Sequence, residues 1–523
     1  MTTFDWIRLL KETNADTLTI DSSDSFIEKN DDRNTFKRDF DQIVSWSSFR
    51  RLQDKAQVFP LEINDFTRTR LTHSIEVLSI AESFGNHLIS TIIDKELSKL
   101  KNIKVIDIKY PFLYLNKELY RSIQNIPQIL RSAALLHDLG NPPFGHVSEQ
   151  TISKWFKNNL KQFVFDEETF TVDKVPVNVK TKKQRLTTIL KNYAEDFYNF
   201  DGNAQILRIV RKLQNLSPRV DARPVKISFP TISATIKYPH NHVKTLYKDD
   251  EKKKNKRNYF NGEKGYYESI QKLLGTNGYR HPLAFLIEAA DDIAYLSSDL
   301  EDALNKNLFD IIDLIDLLKF NKIDENSRIY KLFDNETRKE LLSIYDEGTL
   351  IDLVKSIETY VSSESENVAI KKTCSRLRGF FIARVKEEIS KRYDDIMNHS
   401  YYANLLETSS AIFLSKALRK MSYEKVYYST EIVKKKAEGI NCINIMLDNF
   451  VPSIINSYNK EATDSKEFVV TKLISQNFYE LCCKRIEKKD LKDKLYELIF
   501  LAIDYIAGMT DSYAETIASI LNK

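Results

Sequence analysis

The sequence predicts a mainly α-helical protein, and three observations carry that expectation. Turn formers are scarce: 12 glycines and 12 prolines in 523 residues, a glycine share of about 2% against roughly 7% in ordinary domains. A chain so poor in tight turns does not support many short strands. Apolar residues recur instead at three- and four-residue steps, the period of a helix with one buried face. The composition, 42% hydrophobic and 29% charged, is that of a globular chain and excludes wholesale disorder. Lys+Arg minus Asp+Glu is 78 − 74 = +4, so only local charge clusters can point to a partner.

In chain order, residues 1–30 form an N-terminal segment that begins MTTFDWIRLLKETNAD. It carries acids and lacks the apolar centre of a signal peptide. No run of about 18 apolar residues suggests a membrane span. The four cysteines, Cys374, Cys442, Cys482 and Cys483, make neither a disulfide framework nor a zinc-finger spacing. A soluble, cytoplasmic protein is expected. Phe66–Leu88 reads as the first long helix, with Leu71, Ile75, Leu78 and Ala81 in helical steps. Pro127–Leu139 reads as a second, with Pro at its start and Gly140 at its stop. Residues 161–186 mix aromatic and β-branched residues with charges, as a short hairpin or an inserted loop does. Residues 244–258, KTLYKDDEKKKNKRN, are a charge run that reads as a solvated loop, with a polyanion contact as the alternative. Lys434–Lys436 reads the same way. Pro282–Leu304 is another apolar-faced helix. The helical style then continues to the end without motif or repeat. The expected organisation is a core over 31–310, with 161–186 and 244–258 as insertions or loops, and a helical region over 311–523. That region is expected to pack on the core and build part of an oligomer interface or a lid.

The chemistry concentrates around a few of the eight histidines. His137 and Asp138 are adjacent at a helix end, in LLHDLGNPPFGHVSE. Neighbours on a helix point about 100° apart, so both can ligate one ion only if it sits against that end. An isolated pair of this kind is more often a structural hydrogen bond. Here a rigid Gly/Pro turn follows and returns His146 and Glu149 to the neighbourhood. Those two are three residues apart, one helical turn, close enough for a carboxylate to orient an imidazole. His73 lies mid-helix, one turn after Arg70, where a lone histidine is usually a packing residue. Asp291 and Asp292 stand beside two alanines on an apolar helix, a costly place for acids unless they are paired or bind metal. His, His-Asp and Asp on separate helices make a mixed N/O site for a divalent ion such as Mn, Fe, Zn or Mg.

Six blocks in order extend this reading: residues 33–61, 65–77 (DFTRTRLTHSIEV), 133–149 (AALLHDLGNPPFGHVSE), 200–210 (FDGNAQILRIV), 231–239 (TISATIKYP) and 281–303 (HPLAFLIEAADDIAYLSSDLEDA). Together they resemble the HD-domain phosphohydrolases, and within them the bacterial deoxyguanosinetriphosphate triphosphohydrolases. The resemblance covers about residues 30–310. It implies an HD-domain helical core with an additional helical C-terminal region. It also implies that His73, His137, Asp138 and Asp291 are metal ligands, Asp291 rather than Asp292 because the family pattern puts the ligand directly after Ala. His146 and Glu149 match the catalytic pair beside the α-phosphate, and Arg70 matches a phosphate contact. Gln57 and Asp299 match residues near the sugar 3′-hydroxyl, Tyr295 the tyrosine against the deoxyribose, and Asn203 and Lys237 further nucleotide contacts. The chain has DGNAQ where the family form usually begins with Glu. The implied reaction is attack of water on the α-phosphorus of a dNTP, releasing deoxynucleoside and intact triphosphate. Also implied are a homo-oligomer, tetramer or hexamer, and single-stranded DNA or a nucleotide as effector. Two alternatives stand beside this: another HD-domain phosphohydrolase acting on nucleoside monophosphates or alarmones, and a nucleic-acid-binding role for residues 252–257.

Overall fold

The computed structural model describes residues 3–14, 32–61, 66–100, 115–214, 226–239, 256, 258–458 and 466–522. Of the expected N-terminal segment only 3–14 is described, and of the charge run 244–258 only Lys256 and Asn258. The remainder of both lies outside the described residues.

Helices dominate. The long Arg70–Ser98 helix packs against Ile126–Leu136 and Pro282–Ala294. Its inward face, Val77, Ile80, Ala81, Phe84 and Leu88, follows three- and four-residue steps and is buried. The Glu366–Met397 helix lies across Arg70–Ser98 and Pro282–Ala294, while Thr430–Ser457 packs on His146–Asn159, Leu491–Ala507 and Asp511–Leu521. Two large apolar clusters result, one running from Phe4 to Ile432 and one from Phe144 to Ala518. Each draws residues from both sides of residue 310. Among the described residues no helix is long and apolar enough to cross a membrane.

The stretch 161–186 forms a small antiparallel sheet. Phe163–Asp166 pairs with Thr171–Lys174, and Gln184–Arg185 pairs on the other side of Phe163–Asp166. Phe163, Val164, Phe165 and Val172 are buried, so the first strand is covered on both faces and its aromatic and β-branched residues serve packing.

The expected helix Pro282–Leu304 is interrupted. Its α-helix ends at Ala294, a π-helical turn covers Tyr295–Asp299, and α-helix resumes at Leu300–Asn305. Ser297 Oγ donates to the Ile293 carbonyl at 2.7 Å, a side-chain competitor for the helical ladder. Apolar periodicity does not register a wide turn of this kind. Such turns gather at functional sites, and this one carries Tyr295 and Asp299.

Candidate active site

The first turn of the Arg70–Ser98 helix supplies Arg70 and His73. Thr69 caps it reciprocally with Thr72: the Thr69 hydroxyl accepts from the Thr72 N–H, and the Thr72 hydroxyl from the Thr69 N–H. His137 closes the Ile126–Leu136 helix, and its Nδ1–H donates to the Ala134 carbonyl at 2.6 Å. Nε2 is therefore the atom open to a proton or a metal, and it is buried without a hydrogen bond. It stands 3.6 Å from Asp291 Oδ1 and 3.8 Å from Asp138 Oδ2. His73 Nε2 is 3.0 Å from the same Asp291 oxygen.

Ligand atoms of His73, His137 and Asp138 all lie within 4.8 Å of one another, and Asp291 joins from the histidine side. Donors roughly 2.1 Å from one ion stand about 3 to 3.4 Å apart, so small side-chain shifts fit these residues around a divalent cation. The electrostatics agree. Burial opposes a charge on His137, yet Asp138 and Asp291 raise it to about 9. Burial likewise opposes ionisation of Asp138 and Asp291, but the two histidines, joined by Arg70 at Asp138, hold both below the usual carboxylate range. A field that keeps a proton on a buried imidazole also favours a metal cation in its place.

Asp292 faces elsewhere. Its Oδ2 accepts from Asn404 Nδ2 at 2.5 Å and its Oδ1 pairs with Arg419 at 2.8 Å. The 100° step between neighbouring helical residues separates the two acids.

The turn after Asp138 brings back the second pair. Phe144 and Gly145 have φ of 60° and 64°, and a helix starts at His146. Glycine is favoured at 145 by that φ, and a Cβ there would lie 2.8 Å from Arg70 Nη2 and push the guanidinium aside. His146 Nδ1–H donates to Glu149 Oε2 at 2.9 Å, and Glu149 Oε1 accepts from the Gly202 N–H at 2.8 Å. Glu149 is thus anchored by backbone and sets the imidazole tautomer, leaving Nε2 outward. The His146 side chain is 79% exposed. The Glu149 charge and hydrogen bond raise the His146 pKa. Burial pushes Glu149 upward, but His146 and the Gly202 N–H hold it below its ordinary value.

The other expected residues fall as follows. Arg70 Nη1 donates to Asp138 Oδ2 at 2.5 Å, between the His/Asp cluster and the His146 turn. Lys237 Nζ pairs with Glu288 Oε1 at 3.1 Å, and Glu288 also takes Arg280 at 2.6 Å. Asn203 Nδ2 donates to Asp201 Oδ1 at 2.8 Å. Gln57 Oε1 and both Asp299 oxygens are buried without hydrogen bonds. Burial, then the charge of Asp302, drives Asp299 well above the carboxylate range. Tyr295 lies parallel to Tyr427, with ring centres 6.4 Å apart and planes 7° apart.

Three contributors escaped the sequence reading. Tyr427 and Arg419 come from the C-terminal region, which carries no motif; the only local signals are a Tyr-rich stretch and an amphipathic helix. Tyr427 ends a second π-helical turn, Tyr423–Tyr427. Lys256 belongs to the charge run read as a solvated loop, yet its ammonium is part-buried and held high by Tyr238, Asp201 and Glu149 despite the cost of burial.

Helical architecture and the His/Asp cluster together define an HD-domain protein, and the HD domain family matches residues 70–212. The match continues beyond that domain. A deoxyguanosinetriphosphate triphosphohydrolase-like protein of Listeria monocytogenes is 36% identical over 498 residues, 94% of this chain and 95% of the relative, as is one of Listeria innocua. A deoxyguanosinetriphosphate triphosphohydrolase of Salmonella schwarzengrund is 26% identical over 511 residues, 92% of each chain. The chain belongs to the deoxyguanosinetriphosphate triphosphohydrolase-like family.

Proposed function

We propose that the protein is a metal-dependent hydrolase that converts a deoxynucleoside triphosphate to deoxynucleoside and inorganic triphosphate. The observation that carries the reading is the juxtaposition of the orphaned, buried His137 Nε2 in a His/Asp cluster with the His146–Glu149 pair on the turn that follows. His73, His137, Asp138 and Asp291 would hold the divalent ion, of the Mn, Mg, Fe or Zn type. Such an ion, when bound, polarises a phosphoryl oxygen and lowers the pKa of water.

The protein's own groups supply the rest. Loss of a 5′-alkoxide from the α-phosphorus is hard without a proton. His146, its pKa raised by Glu149, holds that proton on the outward Nε2, placed to pass it to O5′. Glu149 fixes the tautomer and is itself fixed by the Gly202 N–H. Arg70, Lys237, Lys256 and Arg419 are cations near the site that would offset the triphosphate charge. The parallel Tyr295 and Tyr427 rings, 6.4 Å between centres, would wall one side of the place for the sugar, and a ribo 2′-hydroxyl adds bulk against them. Gln57 and Asp299 offer unsatisfied polar atoms to the 3′-hydroxyl; the raised pKa of Asp299 makes it a donor as well as an acceptor. The names of the relatives make dGTP the substrate to test first, and a homo-oligomer of four or six copies is the assembly to test by light scattering.

The direct test is a product assay. Purified protein with Mn or Mg is given each of the four dNTPs and GTP, and products are separated by ion exchange beside a His137→Ala control. Deoxynucleoside plus triphosphate, lost in the control, is the expected result. Monophosphate plus pyrophosphate, stepwise loss of phosphate, or equal attack on GTP would sink the assignment.

A further inference from the structure

The turn that delivers His146 closes locally through the Gly145 N–H on the Pro142 carbonyl at 3.1 Å, but it is also held by residues far along the chain. Phe144 stands in the left-handed region at φ 60°, a conformation that a bulky side chain adopts only when its surroundings impose it. The imposing group is Asp511, on the first turn of the Asp511–Leu521 helix and 2% exposed. Its Oδ1 accepts the Phe144 N–H at 2.9 Å and its Oδ2 accepts the Ala56 N–H at 3.0 Å. Ala56 in turn bridges Thr69, the cap of the helix that carries Arg70 and His73. One carboxylate therefore registers the His146 turn against the start of the metal-ligand helix.

Two further contacts hold the same turn. Lys55 Nζ, buried, donates to the Asn141 carbonyl at 2.6 Å and to the Ala507 carbonyl at 2.8 Å. Gly439 presses on the Phe144 ring so closely that a Cβ there would stand 2.8 Å from it. The turn is thus gripped at the Asn141 carbonyl, the Phe144 ring and the Phe144 N–H, and two of those three grips come from residues beyond 430.

We propose that Asp511 is a positioning residue for the His146–Glu149 pair: by fixing the Phe144 N–H and the Ala56 N–H with its two oxygens, it sets the distance from His146 to the metal-ligand cluster. The inference rests on the role given to His146 under the proposed function. Asparagine keeps the size of the side chain but turns one acceptor into a donor, so it must face an N–H with an NH2. The Phe144 backbone then relaxes and His146 leaves its place, while His73, His137 and Asp291, in or at the end of three helices, stay, and Asp138 stays tied to Arg70.

The experiment compares the full-length wild type with Asp511→Asn, His146→Ala and the double variant, reading kcat, KM for the dNTP, bound metal per chain and thermal melting. Expected for Asp511→Asn is a fall in kcat of about 10- to 100-fold, the size seen when a supporting partner of a site residue is lost. KM and metal content stay near wild type. In the His146→Ala background the same substitution costs less than about threefold, because a residue that acts through His146 has nothing left to position. A wild-type kcat in Asp511→Asn beside an impaired His146→Ala overturns this inference alone. So does a loss in the double variant equal to the product of the single losses, or a loss explained by missing metal. A wild-type kcat in His146→Ala overturns the reading on which it rests. Should Asp511→Asn fail to fold, Gly439→Ala displaces the Phe144 ring from the other side; unimpaired kcat there also overturns the proposal.

Discussion

Residues 70–299 and residues 405–521 meet around the candidate site and do different things there. The first stretch supplies charge: two imidazoles, two carboxylates and the His146–Glu149 pair, fixed on long buried helices or on the turn between them. The second supplies shape and restraint: the Tyr427 ring against Tyr295, Arg419 on Asp292, and Asp511 on the Phe144 backbone. The contrast teaches that reactive groups sit on rigid, locally determined elements, whereas the fit around them is imported from distant parts of the chain.

The comparison breaks most sharply at His137. His137→Ala should remove bound metal and drop turnover to background, since it deletes one of four donors; metal analysis with the product assay checks both, and retained metal with lost turnover would move the role of His137 from ligand to acid–base. His146→Ala should keep metal and lower kcat by roughly 10²–10⁴-fold, the range for loss of a general acid. Tyr427→Ala tests the other side. If the C-terminal stretch governs fit, dNTP turnover should persist while the ratio of dNTP to NTP kcat/KM falls roughly tenfold, the order expected when one wall of a pocket is cut back. A fall in kcat with an unchanged ratio would instead give Tyr427 a part in the chemistry.

The smallest effect concerns the scaffold of the core stretch. His281 caps the Pro282–Ala294 helix, its Nδ1 accepting the Leu283 N–H, while Nε2–H donates to the Leu9 carbonyl at 3.2 Å. The cap needs Nδ1 unprotonated, and burial lowers the pKa of the ring from 6.5 to about 4 against the Leu9 bond, which favours the charged form. The unfolded chain therefore takes up a proton below 6.5 that the folded chain refuses until about 4. The stability contributed is complete above pH 6.5 and lost as pH falls toward 4, by about 3 kcal/mol at roughly 1.4 kcal/mol per unit. Denaturant melts of wild type and His281→Asn at pH 7 and pH 4.5 measure it; asparagine keeps an acceptor for the cap, and its difference between the two pH values should shrink.

How much of this was legible followed from sequence distance. His73, His137 and Asp138 stood out only as a set: each alone reads as a packing residue or a structural hydrogen bond, and the family pattern singled them out as ligands. Asp291 needed the family pattern to separate it from Asp292, and the helical step then turns Asp292 toward Asn404 and Arg419. The π-helical turns at Tyr295–Asp299 and Tyr423–Tyr427 were invisible to apolar periodicity, which counts faces and not the one wide turn between them. Arg419, Tyr427 and Asp511 carry no local mark. Nothing within ten residues of Asp511 says that its carboxylate will meet Phe144; that is a property of how the Thr430–Ser457 and Leu491–Ala507 helices pack.

The partners of Asp511 are 367 and 455 positions away along the chain. At roughly 5–20 residues per second, a ribosome needs on the order of 20–70 s after making Phe144 before the residue that holds it exists. Through that interval the nascent chain carries the His/Asp cluster without the grip on the His146 turn. Contacts of such separation also close late in refolding, after local helices have formed. Turnover should therefore lag the recovery of helical signal, and newly made chains are silent until residue 511 has left the ribosome and docked.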